Sequence, residues 1–214
     1  MDLANYKKAW KNQPEEINKL SALEIYKMTQ AKSTSIVKWI FIIGSLEFLF
    51  WIALNFIASQ FNYAEVYEEL HLMKYINYTY YLGFLVLFLF LVVFYRNYTS
   101  VSSVDNTKTL IKKIIRVRKT VKFYVYYNII STVVVTVIFS IVVANTPGGM
   151  EAMFKNQDIN IDPSQYLTLY ITSIVITMIV LLGFLFLFYY LLYGLLLKKL
   201  NRNYKELTKL EEAK

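Results

Sequence analysis

The chain has 214 residues, 57% hydrophobic and 17% aromatic against 18% charged, with a formal net charge of +8. That apolar share exceeds what a soluble domain of this length normally carries and excludes intrinsic disorder. There is no cysteine and one histidine, His71, so disulfide scaffolds, thiolate nucleophiles, cysteine metal sites and multi-histidine metal sites are excluded too.

Residues 1–35 alternate charged and apolar positions without a continuous apolar core, so they are expected not to be a cleaved signal peptide, and the first span is expected to stay as an anchor. Within them Leu20-Ser21-Ala22-Leu23-Glu24-Ile25 reads as a capping box. Ser21 can accept the Glu24 amide, the Glu24 side chain can return to the Ser21 amide, and Leu20 can pack on Ile25, which predicts a helix from Ala22. Pro14 suits an earlier first turn and Trp10 a lipid interface.

Four windows meet the roughly 20 apolar residues that a helix needs to cross hydrocarbon: about 39–58, 75–95, 123–144 and 170–190. The first contains one charge, Glu47. The third runs through the β-branched stretch from Ser131 to Ile138. The fourth sits inside an uncharged stretch from Pro163 to Leu197, where Tyr166, Tyr170, Tyr189, Tyr190 and Tyr193 are expected to mark the two headgroup levels. The windows are apolar on every face, which favours helices over barrel strands. The expected fold is therefore all-α: a four-helix transmembrane domain over 37–197, with cytoplasmic amphipathic extensions in the segment 1–36, the loop 96–122 and the tail 198–214.

Basic residues set the direction, because Lys and Arg are retained on the cytoplasmic side. Seven lie in residues 1–38, eight in 96–122 and six in 198–214, against one in each remaining loop, Lys74 and Lys155. Both termini and the middle loop are expected in the cytoplasm. The net charge then reflects topology and attraction to anionic headgroups rather than nucleic-acid binding.

In the middle loop Asp105 can cap a helix that carries Leu110, Ile111, Ile114, Val117 and Val121 on one face. Lys112, Lys113, Arg116 and Lys119 lie on the others. Such a basic amphipathic helix either lies on anionic lipid or extends the third span. After the fourth span Leu200, Tyr204, Leu207 and Leu210 form another stripe. These stripes can pack on one another or on a partner. A repeat is also suggested: Leu82-Gly83-Phe84-Leu85-Val86-Leu87-Phe88 and Leu182-Gly183-Phe184-Leu185-Phe186-Leu187-Phe188 differ at one position, and Val37-Lys38-Trp39 resembles Val121-Lys122-Phe123.

Glu47 is the sole ionisable residue other than tyrosine well inside a predicted span. A carboxylate there costs roughly 2.5–3.5 kcal/mol on insertion scales, so it should be protonated or paired. At 100° per residue Ile40, Gly44, Glu47, Trp51, Asn55 and Ala58 share one stripe, which should meet another helix. Thr132, Thr136 and Thr177 are the expected partners of Glu47, forming with Asn55 an intramembrane polar site. That site can serve as interhelical glue, a proton or cation site, or an oligomer contact.

No HExxH, GxSxG or phosphate-binding glycine loop is present, and the chain has six glycines in all. No catalytic residue, cofactor or metal is expected. His71, beside Glu65, Glu68 and Glu69, is read as solvated, Thr146-Pro147-Gly148-Gly149 as a turn, and the glycosylation pattern Asn77-Tyr78-Thr79 abuts a span.

The stretch Leu23-Glu24-Ile25-Tyr26-Lys27-Met28, then Lys32-Ser33, Ser35-Ile36-Val37-Lys38-Trp39-Ile40 and Glu47-Phe48-Leu49-Phe50-Trp51, resembles a family of small bacterial membrane proteins over about residues 20–55. The resemblance implies four helices in the inner membrane. It also implies genes placed near alternative sigma factors, hence an anti-sigma-like or signalling role, and it carries over no catalytic residues. A carotenoid-oxygenase label borne by some relatives does not fit, since such enzymes hold iron with four histidines. The His/Cys zinc pattern of one anti-sigma class is also lacking.

The expected function is non-enzymatic. Basic cytoplasmic helices, with Ser21, Glu24, Lys112, Lys113, Arg116 and Lys119, would meet a cytoplasmic protein such as a sigma factor, or anionic lipid. The alternative is an oligomeric transporter or channel component with Glu47 as its coupling acid.

Overall fold

An apolar run deprived of water must satisfy its own amides and carbonyls, and an α-helix does so within one segment. The computed structural model describes residues 22–60, 64–102, 106–154 and 162–212, all in helices or short connections. In chain order these are α1 (Ala22–Ala58), α2 (Ala64–Glu69), α3 (Met73–Ser102), α4 (Thr107–Asn145) and α5 (Gly149–Phe154). A 3-10 turn (Pro163–Gln165) then leads into α6 (Tyr166–Tyr189), a π turn (Tyr190–Gly194) and α7 (Leu195–Glu212). Four helical units, α1, α3, α4 and the continuous α6–α7, are long and apolar enough to cross a membrane. Trp10, Pro14, Leu20, Ser21 and Asp105 lie outside the described residues. The cap seen on α4 is Asn106, whose Oδ1 accepts the Lys108 amide at 2.9 Å.

The helices exceed the expected windows. At about 1.5 Å per residue, the 39 residues of α4 extend roughly 58 Å, about twice the ~30 Å thickness of hydrocarbon. Of the two readings of the basic segment 107–122, the structure has the extension: the segment is the first part of α4. Together α1, α4 and α7 build a three-helix stalk at the basic end of the molecule. Its interior is made by the apolar stripes themselves: Val37 and Ile40 from α1, Leu110, Ile114, Val117 and Val121 from α4, and Leu200 and Leu207 from α7, all buried in one cluster. A polar thread crosses it, with Asn203 Nδ2 donating to Ser33 Oγ at 3.1 Å and Ser33 Oγ donating to the Thr29 carbonyl at 2.7 Å. In an otherwise apolar seam such a pair opposes a slip of α1 along α7, because any other register would bury it unpaired.

The opposite, acidic end is closed by the short helices. The Leu72 amide reaches the Tyr67 carbonyl at 2.8 Å and the His71 amide the Glu68 carbonyl at 2.9 Å. That is the bond pair of a Schellman motif, and His71 takes the left-handed conformation (φ 56°) that usually falls to glycine. In the Thr146–Gly149 turn Gly148 has φ +72°, and a Cβ on Gly149 would collide with the Val143 carbonyl oxygen. Asp162 Oδ1 accepts the amide (2.9 Å) and hydroxyl (2.8 Å) of Ser164, and these bonds hold its carboxyl below the usual range. Leu72, Val143 and Tyr170 form a small second cluster there, with Tyr67, Met153 and Phe154 against it.

Between the two clusters the bundle is loosely filled. No described residue is fully buried beyond Glu47 on α1, between Leu72 and Phe94 on α3, between Tyr124 and Val143 on α4, or between Tyr170 and Leu185 on α6. The suggested repeat meets the structure unevenly. Val37 and Val121 are both buried with Trp39 and Phe123 both exposed, whereas Leu85 is 55% exposed and Leu185 only 4%. The second pair of motifs therefore occupies different faces.

Candidate functional site

Glu47 is 3% exposed at the junction of the packed and loose halves. Its partners are not the expected threonines. Tyr189 Oη donates to Oε1 at 3.0 Å and Tyr193 Oη to Oε2 at 2.7 Å, while Tyr124 and Trp51 turn polar groups toward the same carboxyl. The π turn, with its i→i+5 bonding, follows Tyr189 directly and contains Tyr193. Both tyrosines thus face α1. The Tyr124 ring stands edge-on to Tyr193 (5.7 Å) and to Phe94 (5.3 Å), and Gly44 lets Phe94 come close, since an added Cβ would lie 2.9 Å from the Phe94 ring.

This corrects two expectations. Thr132, Thr136 and Thr177 do not bond Glu47, because a phenol on a neighbouring helix reaches further across an interhelical gap than a hydroxyl held one bond from its Cβ. Thr132 instead donates to the Asn128 carbonyl of its own helix at 2.8 Å. Tyr170, Tyr189 and Tyr193 are buried rather than set out as an aromatic belt; Tyr170 donates to the Ser140 carbonyl at 3.2 Å, and Tyr190 is exposed. The sequence signal that was available was the four-residue spacing of Tyr189 and Tyr193, which places them on one helix face.

The other expected polar residues meet elsewhere. Asn55, Thr136 and Thr177 all line a cavity of about 860 Å³ in the loose half of the bundle, and Trp51 stands between it and the carboxyl. The stripe read on α1 is thus divided: Ile40, Gly44 and Glu47 are packed, while Trp51, Asn55 and Ala58 face the cavity.

On the stalk Lys112, Arg116 and Lys119 are exposed, as are Lys198, Lys199, Arg202, Lys205 and Lys209 on α7. Lys113 is half-buried and donates to the Ser100 carbonyl at 2.8 Å, tying α4 to the end of α3. Glu24 is exposed on the first turn of α1; Ser21 lies outside the described residues. His71 is exposed, and no group of three metal-ligating residues occurs among the described residues.

The geometry defines an all-helical chain with four helices of membrane-spanning length, a polyphenol-bound carboxyl and a basic three-helix stalk. The chain belongs to the family of the domain of unknown function DUF8845, whose profile matches residues 23–212. Neither curated proteins nor solved structures yield a match.

Proposed function

We propose that the chain is a multi-pass bacterial inner-membrane protein with both ends in the cytoplasm, acting without catalysis as an anchored docking platform for an acidic cytoplasmic protein. One observation carries this reading: the apolar stripes of α4 and α7 are buried in the stalk, so the surface they leave for a partner is mostly basic, with Leu23 and Met28 of α1 exposed beside it. Lipid headgroups alone account poorly for it. Lys112 precedes Phe123, where the span is taken to begin, by a helical length of roughly 16 Å at about 1.5 Å per residue. Lys108 stands further out still. Both lie beyond the screening length of about 8–10 Å that limits attraction to anionic headgroups, whereas Lys122, Lys198 and Lys199 sit within it.

We do not propose Glu47 as a coupling acid, since both of its oxygens are engaged by tyrosines and it does not line the cavity.

The test is affinity purification of the tagged full-length protein from mild-detergent membranes, beside the triple variant Lys112→Glu, Arg116→Glu, Lys119→Glu. An acidic cytoplasmic protein, a sigma factor being one candidate, should co-purify with the wild type and fall at least tenfold with the variant. Equal recovery with both proteins, or anionic lipid alone in both, would sink the reading.

A further inference from the structure

We infer that the space between the two packed ends of the bundle is a binding site for a neutral membrane-dissolved lipid, a long apolar chain bearing a hydroxyl or carbonyl oxygen and no charge. The inference rests on the membrane-spanning reading but not on any partner of the stalk. The cavity volume of about 860 Å³ falls within the range of roughly 300–1,000 Å³ typical of small-molecule sites. Among the described residues no Asp, Glu, Lys, Arg or His lines it, so a charged group entering would lose its hydration with no opposite charge there to replace it.

The few polar groups on the wall define what the ligand must carry. Thr79, Ser140 and Ser173 donate to carbonyls of their own helices, at 2.9, 2.7 and 2.8 Å. Asn55, Thr136 and Thr177 make no side-chain hydrogen bond among the described residues, although all three face the cavity. They are neutral groups that donate and accept, suited to an ester, ketone or alcohol oxygen. Asn55 is one turn of α1 beyond Trp51, and Thr136 and Thr177 face the same space from α4 and α6.

The position says how such a ligand arrives. The acidic end is closed by the Leu72, Val143 and Tyr170 cluster, and the other end by Trp51 above the Glu47 carboxyl. Beyond the stacked rings of Phe50 and Phe188 (6.4 Å), α6 packs on α4 and α5 while α1 packs on α3. The side between α1 and α6 is therefore the route by which a membrane-dissolved lipid would enter.

Gly83 provides the probe. It lines the cavity and an added Cβ there would meet nothing within 4 Å; Gly183 is equally open but off the wall. The full-length protein in phosphatidylcholine nanodiscs would be photolabelled with a dioleoylglycerol analogue bearing a mid-chain diazirine, and the labelled peptides mapped by mass spectrometry. Label should concentrate around Trp51 and Asn55, Thr136 and Thr177, and be competed by unlabelled dioleoylglycerol. It should drop at least tenfold in Gly83→Leu and stay unchanged in Gly183→Leu. The near-isosteric double variant Thr136→Val, Thr177→Val should lower it at least threefold, a second readout should Gly83→Leu not fold. Label spread over the exposed Ile138, Ile179 and Val180, unchanged labelling in folded Gly83→Leu or in the double variant, or equal competition by phosphatidylglycerol would overturn the inference.

Discussion

Tyr193 and Glu47, 146 residues apart in sequence, are joined by a 2.7 Å hydrogen bond buried where α1, α4 and the π turn meet. Tyr189 holds the second carboxyl oxygen, so the carboxyl of α1 links that helix directly to the end of α6 and the π turn. Interhelical hydrogen bonds of this kind average about 0.6 kcal/mol in membrane proteins and reach roughly 1–2 kcal/mol. Tyr193→Phe should therefore lower stability by about 1 kcal/mol, and Glu47→Leu by more, because it strands both phenols. Thermal unfolding in detergent checks this. The double variant should fall short of the sum of the single losses, and strict additivity would show that the bond contributes nothing of its own.

Gly44 is a contact residue rather than a spacer. A side chain there would push into the Phe94 ring, which itself packs on Tyr124. Gly44→Leu should cost about 1–3 kcal/mol through overpacking, seen as a lower midpoint of unfolding. Gly183→Leu, placed in open space, should leave the midpoint where it is.

His71 holds a left-handed backbone at the end of α2 that glycine adopts without a Cβ penalty. His71→Gly is expected to stabilise the acidic end by up to about 1 kcal/mol. Amide exchange at Leu72, whose bond to Tyr67 closes the motif, should slow. Faster exchange there would contradict the account.

Asn97 is buried and its Nδ2 has no hydrogen-bond partner among the described residues. An unsatisfied buried amide costs about 1–3 kcal/mol, so Asn97→Leu should raise the unfolding midpoint. A fall of the same size would mean that the amide has a partner in the membrane-embedded protein.

The stalk seam is expected to depend on its polar thread. Asn203→Leu leaves the Ser33 hydroxyl with its bond to Thr29 and removes the bridge between α1 and α7. Disulfide cross-linking of cysteine pairs introduced along α1 and α7 should then report more than one register, where the wild-type background reports a single one.

Hydropathy and spacing alone made the four long helices legible, together with the buried stripes of the stalk at Leu110, Ile114, Val117, Leu200 and Leu207. An apolar run of this length has few alternatives to a helix, and a three-to-four-residue period leaves one face to hide. The face of α1 bearing Gly44, Glu47, Trp51 and Asn55 was legible for the same reason. Which residues would meet that face was not. Tyr189 and Tyr193 resemble a headgroup belt in sequence because tyrosine serves both roles, and only the π turn and the approach of α6 to α1 assign them to the carboxyl.

The sequence by itself thus determined the elements, their apolar faces and the concentration of basic charge on three of its segments, since these follow from local composition and period. The tertiary structure decided what each face touches. It spent the stalk's apolar stripes on one another, gave Glu47 its phenols, and turned Asn55, Thr136 and Thr177 toward a cavity. Those outcomes depend on the angles at which the helices cross and part, and a helix's own sequence specifies its surface without specifying the distance to the next.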